Sequence, residues 1–135
     1  TGCKLALSHT KEDGLALVRH LERRFALEQP INIHLTGCPN SCAQHYIGDI
    51  GLVGTTLPEG GEGYYVVLGG GSDHARGIGR ATCGPLAADH VNRLVEESVG
   101  SYLDQRHDGE TFLSFVRRQS AEALPRLIDT RTLAA

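Results

Sequence analysis

The spacing of apolar residues predicts helices near both ends of the chain. Four apolar residues recur at helical spacing and predict a helix over about residues 11–28. These four are Leu17, Val18, Leu21 and Phe25. A broader apolar face predicts a second amphipathic helix over about residues 89–105. It is made of Val91, Leu94, Val95, Val99, Tyr102 and Leu103.

Four runs rich in apolar residues lie between these helices and predict strands. They are Ile31–Leu35, Asp49–Gly54, Tyr64–Leu68 and Arg80–Leu86, the last of which is either a short strand or an extended arm. Pro39 suits the first position of a helix, so a short helix is predicted from Pro39 to about Tyr46. Residues from about 106 to 135 are predicted to form a C-terminal helical segment. The order of elements predicts an α+β fold, in which a mixed sheet is flanked by helices and residues 1–135 form a single domain.

The composition is that of a globular chain without a strong excess of charge. Hydrophobic residues make up 40% of the 135 residues, charged residues make up 21%, and the formal net charge is −3. Without a basic stripe, nucleic acid is not an expected partner. No apolar run is long enough to cross a bilayer, so no membrane segment is expected. There is no signal peptide pattern, so a cytoplasmic location is predicted, and the four cysteines are expected to bind metal or catalyse rather than form disulfides.

The clearest chemical motif is the run Thr36-Gly37-Cys38-Pro39-Asn40-Ser41-Cys42. Two cysteines four positions apart at the start of a helix project to the same side, one turn apart. The free N–H groups of that first turn point into the same space and favour an anion there, such as an iron–sulfur cluster held by thiolates. Gly37 leaves room for a bulky cofactor. Cys3, in the segment that leads into the first helix, is the expected third thiolate.

Together with Thr1-Gly2-Cys3-Lys4-Leu5-Ala6, this motif resembles that of the sirohaem-containing nitrite and sulfite reductases. Members of that family carry two cysteines with five residues between them and, some tens of residues later, two cysteines with three residues between them. Cys3 matches the second cysteine of the first pair, and Cys38 and Cys42 match the second pair. Later segments are also similar to the family. They are Asp49–Gly54, Val67–Gly71 and Tyr102–Phe115.

The resemblance implies a six-electron reduction of nitrite or sulfite at a sirohaem bridged to a [4Fe–4S] cluster, with electrons commonly supplied by ferredoxin. The C-terminal segments favour nitrite slightly. Cys42 is implied to be the axial thiolate that bridges the cluster to the sirohaem iron, and Cys3 and Cys38 to bind other irons. Asn40 and Gly37 are expected to line the cofactor face. Sirohaem carries many carboxylates, so basic side chains are further candidates for binding it. They are Lys4, Lys11, Arg76 and Arg80.

The sequence departs from the family pattern at its start. The chain opens at Thr1, and the family's first cysteine would lie four positions before it. We therefore expect a C-terminal fragment whose partner is the missing N-terminal half of the same protein, which in the family carries the basic residues that bind the small anionic substrate. The fragment by itself is predicted to be inactive and to lack both cofactors.

Other functions are compatible with parts of the pattern. An enzyme that oxidises a precorrin tetrapyrrole belongs to a similar family. A non-enzymatic module that binds an iron–sulfur cluster or zinc is a further alternative, in which Cys38, Cys42 and His45 are joined by Cys3 or Cys83. Zinc sites of this kind usually show two close cysteine pairs, and only one is present here. Cys83 matches no ligand of the family and is expected to be a small buried hydrophobic residue.

Overall fold

The computed structural model describes residues 2–127, apart from the side chain of Asp73. Its helices and strands confirm the α+β class and its mixed sheet. In chain order they are α1 (Thr10–Arg24), β1 (Ile33–Thr36), β2 (Ile50–Thr56), β3 (Glu62–Leu68), β4 (Arg80–Ala87), α2 (Ala88–Gln105) and α3 (Phe112–Arg117). Short 3₁₀ turns lie at His45–Ile47, Asp73–Ala75 and Leu124–Leu127.

The four strands form one sheet in the order β1-β2-β3-β4. β1 runs parallel to β2, with Thr36 opposite Val53. β2–β3 and β3–β4 are antiparallel, and irregularities around Val66 interrupt the register between β3 and β4. Because β1 and β2 are parallel, the chain must travel back along the sheet between them, and residues 37–49 make that return.

The main core lies between one face of the sheet and the helices. Apolar residues from β2 and β3 pack there against α1, α2 and α3, and the apolar face predicted for α2 is buried. α1 is shorter than predicted, because Phe25 adopts an extended backbone conformation and ends the helix at Arg24. Leu17 and Leu21 of α1 are buried, whereas Val18 is 43% exposed.

The opposite face of the sheet carries Val53 and Val67, which are buried but lie outside the main core. A Cβ atom at Gly79 would contact Val67, so the segment that leads into β4 covers this part of the face. Tyr65 projects from the same face and is 46% exposed. The two faces therefore differ: helices cover one, and loops partly cover the other.

The helix predicted from Pro39 to Tyr46 is wrong. Only His45–Ile47 forms a 3₁₀ turn. Ser41 and Gln44 have φ angles of 57° and 52°, in the left-handed region, and a right-handed helix cannot pass through either of them. This segment is instead a sequence of turns held by hydrogen bonds to β1.

The C-terminal part of the described chain is helical in short pieces. Thr111 caps α3 by accepting a hydrogen bond from the backbone N–H of Ser114 at 3.1 Å. The predicted helical segment over about 106–135 stays a prediction, since residues 128–135 lie outside the described residues. Within residues 2–127, no helix is long and apolar enough to span a bilayer.

Candidate functional site

Residues 37–44 follow β1 and form the cysteine loop, which contains Cys38 and Cys42. Two tight turns shape it: the backbone N–H of Ser41 donates to the carbonyl of Cys38 at 3.1 Å, and that of Gln44 donates to the carbonyl of Ser41 at 2.8 Å. His34 of β1 donates from Nδ1 to the carbonyl of Ala43 at 2.8 Å. The loop is thus held both by its own backbone and by a side chain of the sheet.

His45 stabilises the end of the cysteine loop. Its Nδ1 atom lies 2.7 Å from the hydroxyl oxygen of Ser41. Burial lowers the pKa of His45, so the neutral ring is favoured near neutral pH. In the zinc alternative His45 was grouped with the cysteines, but the structure pairs one of its ring nitrogens with Ser41.

Glycines of the sheet make space for the backbone of the cysteine loop and of the turn after it. A Cβ atom at Gly51 would overlap with the carbonyl oxygen of His45. A Cβ atom at Gly54 would overlap with the carbonyl oxygen of Gly37. A glycine inside a strand commonly marks a close approach of another backbone, and here both β2 glycines have that role.

The segment that carries Cys3 lies directly against the cysteine loop. Its backbone turns at Cys3, where the N–H of Ala6 donates to the Cys3 carbonyl at 3.2 Å. The next residue, Leu7, donates its N–H to the carbonyl of Gly37 at 2.7 Å. A Cβ atom at Gly37 would lie only 2.8 Å from the Cβ of Ala6. These contacts place the Cys3 turn beside the residue that precedes Cys38.

The thiols of the three predicted ligands are unpaired and accessible. Cys3 and Cys42 are exposed, Cys38 is half-buried, and none of them forms a disulfide. The sulfur of Cys3 accepts a hydrogen bond from the backbone N–H of Leu5 at 3.4 Å. Thiolates of this kind are the usual ligands of iron–sulfur clusters.

The described residues contain no group of three or more His, Cys, Asp or Glu side chains close enough to hold a single metal ion. A four-iron cluster sets a different requirement, because each thiolate binds a different iron and the sulfur atoms lie farther apart. The three free thiols lie on two adjacent backbone turns, and thiolate is the ligand type that such a cluster binds. They do not form a preassembled site for one zinc ion.

Three of the polar residues predicted to bind the cofactors lie in three different segments. Lys4 borders a surface cavity of about 430 Å³ together with Gly2, Cys3 and Ala6, and Asn40 is exposed in the cysteine loop. Arg76 is exposed in the segment between β3 and β4. The structure brings Lys4 and Asn40, but not Arg76, onto the segments that carry the three cysteines.

The side-chain hydrogen bonds of Arg80 lie away from these segments. Its guanidinium donates to the carbonyls of Val116 at 2.9 Å and Gln119 at 3.0 Å, at the C-terminal end of α3. Carbonyls at the C-terminal end of a helix attract a cation, so this contact stabilises the helix. Binding of a cofactor by Arg80 stays a prediction.

Cys83 is half-buried, so it is more exposed than the buried residue expected from the sequence. It lies in β4 opposite Val66 and packs against the core. Burial raises the pKa of its thiol to about 11, so the thiol stays protonated near neutral pH.

The sequence prediction missed the residues that hold the two cysteine segments together. Ser8 is buried, and its hydroxyl donates to the carbonyl of Gly63 at 2.8 Å. His34 holds the cysteine loop, and Gly51 and Gly54 accommodate it. The pair of glycines inside a predicted strand was the available signal, whereas nothing in the local sequence distinguishes Ser8 from a surface serine.

Comparisons with known proteins identify the family of this chain. A family model described as "Nitrite and sulphite reductase 4Fe-4S domain" matches residues 8–132. Sulfite reductase (ferredoxin) 1 of Mycolicibacterium paratuberculosis is 38% identical over 132 residues, covering 90% of this chain and 24% of that protein. Ferredoxin–nitrite reductase of Leptolyngbya laminosa is 46% identical over 71 residues, covering 50% of this chain and 14% of that protein.

A solved structure has the same fold. The NirA protein of Mycobacterium tuberculosis superposes with a TM-score of 0.79 at 34% sequence identity, over 90% of this chain and 24% of that chain. The chain therefore belongs to the nitrite and sulfite reductase family, in the part that the family model describes as the 4Fe-4S domain. It spans about a quarter of the length of the sulfite reductase and of the NirA chain that it matches.

Proposed function

We propose that this chain is part of a nitrite or sulfite reductase and that Cys3, Cys38 and Cys42 bind irons of its [4Fe–4S] cluster. The observation that carries the proposal is the contact between the two cysteine segments. The N–H of Leu7 donates to the carbonyl of Gly37, and this bond sets the Cys3 turn beside Cys38. This contact supports the proposal because it joins the two segments that carry the three thiols.

Cys42 is proposed as the thiolate shared between the cluster and sirohaem. Cys42 is exposed, so its thiol is accessible to a large planar group. Cys38 is more buried and is proposed to bind iron on the protein side. The cofactor pair would supply electrons to a small anion, nitrite or sulfite. Relatives named for each of these substrates match this chain.

The chain's own residues would orient and tune these groups. The N–H of Leu5 donates to the Cys3 sulfur and would stabilise negative charge on it. Lys4 and Asn40 are proposed to face the sirohaem carboxylates, because they lie on the same two segments as the thiols. Arg76 and Arg80 stay candidates for the same role.

The fourth thiolate is proposed to come from another part of the full-length protein. Within this sequence the remaining cysteine is Cys83, whose thiol packs against the core and has a raised pKa. The 135-residue chain is accordingly proposed to be inactive by itself. Its proposed partners are the rest of the same protein and an electron donor such as ferredoxin, the donor named in two of the matching relatives. The cytoplasmic location stays a prediction.

The proposal is tested on the full-length protein purified without oxygen. We expect sirohaem absorption bands, with about four cluster irons and four sulfides per chain. Cys42→Ser should abolish the reduction of nitrite or sulfite, and Cys38→Ser and Cys3→Ser should lower the cluster content.

The matched control is Cys83→Ser, which should leave the iron content unchanged. A full-length protein with zinc in place of iron, or with neither metal, would contradict the proposal. Turnover of nitrite or sulfite by the isolated 135-residue chain would contradict its inactivity. A cluster that depends on Cys83 as strongly as on Cys38 would overturn the ligand assignment.

A further inference from the structure

Four backbone segments meet at a point beside the cysteine loop, and Ser8 lies at their centre. Its side chain is 1% exposed. The hydroxyl donates to the carbonyl of Gly63, at the start of β3, over 2.8 Å. A buried hydroxyl with a hydrogen-bond partner is costly to displace, because moving it would leave both groups unsatisfied.

Each of the other three segments contributes a glycine at this point. We call the set of Ser8, Gly37, Gly54 and Gly63 the junction. A Cβ atom at Gly54 would overlap with the carbonyl of Gly37 and would lie 3.0 Å from the hydroxyl oxygen of Ser8. Gly37 precedes Cys38 directly, so the junction joins the Cys3 segment, the cysteine loop, β2 and β3, and the Ser8 hydroxyl lies between them.

A second contact holds the Cys3 segment one residue further along the chain, at His9. The carboxylate of Glu62, in β3, accepts a hydrogen bond from the backbone N–H of His9 at 3.0 Å. The same carboxylate pairs with Nδ1 of His9 at 2.5 Å. This contact is exposed, so solvent and salt weaken it more than they weaken the buried Ser8 contact.

These contacts hold the residues that follow Cys3 against β3. Only four residues separate Cys3 from Ser8, and the Cys3–Ala6 turn folds them together. Movement of Ser8 away from Gly63 would strain the bond between the adjacent Leu7 and Gly37, and loss of that bond would let the Cys3 sulfur move away from Cys38. A cluster needs its thiolates at set separations, and groups that orient metal ligands affect metal retention strongly.

We propose that Ser8 and Glu62 are positioning residues for the Cys3 ligand: they fix the Cys3 segment to β3 and so set the separation between Cys3 and the cysteine loop. This inference rests on the proposed function, since it assumes that Cys3 binds a cluster iron. Neither residue touches the cluster, and both act through the backbone between them and Cys3.

The experiment compares Ser8→Ala, Ser8→Thr and Glu62→Gln with wild type in the full-length protein purified without oxygen. The matched control is Ser98→Ala, which removes another hydroxyl that is 1% exposed and bonded to a backbone carbonyl, at 2.9 Å, but within α2. Three quantities are measured: the rate of iron release to a chelator, the electron paramagnetic resonance spectrum of the reduced cluster, and the thermal unfolding midpoint.

We expect Ser8→Ala to release iron about tenfold faster than wild type, with a changed cluster spectrum. Ser8→Thr should restore the wild-type rate, because it keeps the hydroxyl. Glu62→Gln should release iron faster by a smaller factor. Ser98→Ala should lower the thermal midpoint and leave iron release and the spectrum unchanged.

If Ser8→Ala and Ser98→Ala release iron at the same rate, the inference is overturned, but the proposal that the protein binds a cluster still stands. If the Ser8→Ala protein is too unstable to bind the cluster, the iron release of Glu62→Gln is compared with that of Ser98→Ala instead. The Glu62→Gln substitution leaves no cavity in the core. A wild-type protein that binds no cluster would instead overturn the proposed function, so the two failures are distinguishable.

Discussion

The hydroxyl of Tyr64 in β3 donates a 2.6 Å hydrogen bond to the Oδ2 atom of Asp13 in the first turn of α1. Tyr64 is 1% exposed and packs within the core. The bond joins two elements separated by 51 positions. Because Ser8 also bonds to β3, at Gly63, the start of α1 and the Cys3 segment are held to the same strand.

Loss of the Tyr64 hydroxyl should weaken this attachment. We expect Tyr64→Phe to lower the free energy of unfolding by about 1.5–2 kcal/mol, because it removes a bond to a charged group. Burial, and then the bond to Asp13, raise the pKa of Tyr64 above its usual 10.0. A raised pKa in the folded state contributes stability that is fully present below pH 10.0 and is lost above it. Tyr64→Phe lacks the ionisable hydroxyl, so it should not show this loss of stability at alkaline pH.

Urea titrations at several pH values measure both effects. Tyr65→Phe is the matched control, since Tyr65 is 46% exposed. It should change the free energy of unfolding by less than about 0.5 kcal/mol. Equal effects of the two substitutions would show that the bond to Asp13 contributes nothing to stability.

The pair formed by His9 and Glu62 should make stability depend on pH. The hydrogen bond with Glu62, and then its charge, raise the pKa of His9 above 6.5, and the hydrogen bond with His9 lowers the pKa of Glu62 below 4.5. The histidine's contribution is fully present below pH 6.5 and is lost as pH rises through its folded-state value. The glutamate's contribution is fully present above pH 4.5 and is lost as pH falls.

The difference in thermal midpoint between wild type and Glu62→Gln should therefore be largest between about pH 4.5 and 6.5. It should shrink in high salt, because both side chains are exposed. A difference that does not vary from pH 4 to 9, at about physiological ionic strength, would show that the pair is not ionised as proposed.

Gly51 should not tolerate even one added methyl group. A Cβ atom there would overlap with the carbonyl of His45, so Gly51→Ala must displace the end of the cysteine loop. We expect it to lower the free energy of unfolding by about 1–3 kcal/mol and to reduce the cluster content of the full-length protein. Chemical denaturation and iron analysis measure the two effects.

Gly100→Ala is the control for Gly51→Ala. In α2, an added Cβ at Gly100 would meet only Phe25, at an ordinary contact distance of 3.8 Å. Alanine is the better helix former, so Gly100→Ala should raise the free energy of unfolding by about 0.5–1 kcal/mol. A Gly51→Ala protein with native stability and full cluster content would contradict the role given to Gly51.

Arg80 offers a test between a structural and a cofactor-binding role. Its bonds to the carbonyls of Val116 and Gln119 predict that Arg80→Met lowers the free energy of unfolding by about 1–3 kcal/mol. Arg19→Met, at an exposed position of α1, should change it by less than about 0.5 kcal/mol. If Arg80→Met keeps native stability but loses sirohaem from the full-length protein, the cofactor role is the correct one.

Local sequence patterns were sufficient for the elements whose formation depends on their own residues. The apolar face of α2 repeats over eighteen residues, so its position follows from periodicity alone. The strands were found for a similar reason, with ends displaced by one or two residues. The spacing of Cys38 and Cys42, with Cys3 upstream, was sufficient for the family and for its candidate thiols.

The sequence by itself thus determined the α+β class and the family. The class follows from local periodicity, and the family follows from the spacing of the cysteines. The tertiary structure decided the path of the cysteine loop, where Ser41 and Gln44 enter the left-handed region. It also decided that Ser8 is buried against Gly63, 55 positions away. These features depend on hydrogen bonds between residues far apart in the chain, and such bonds leave no periodic signal in the residues that form them.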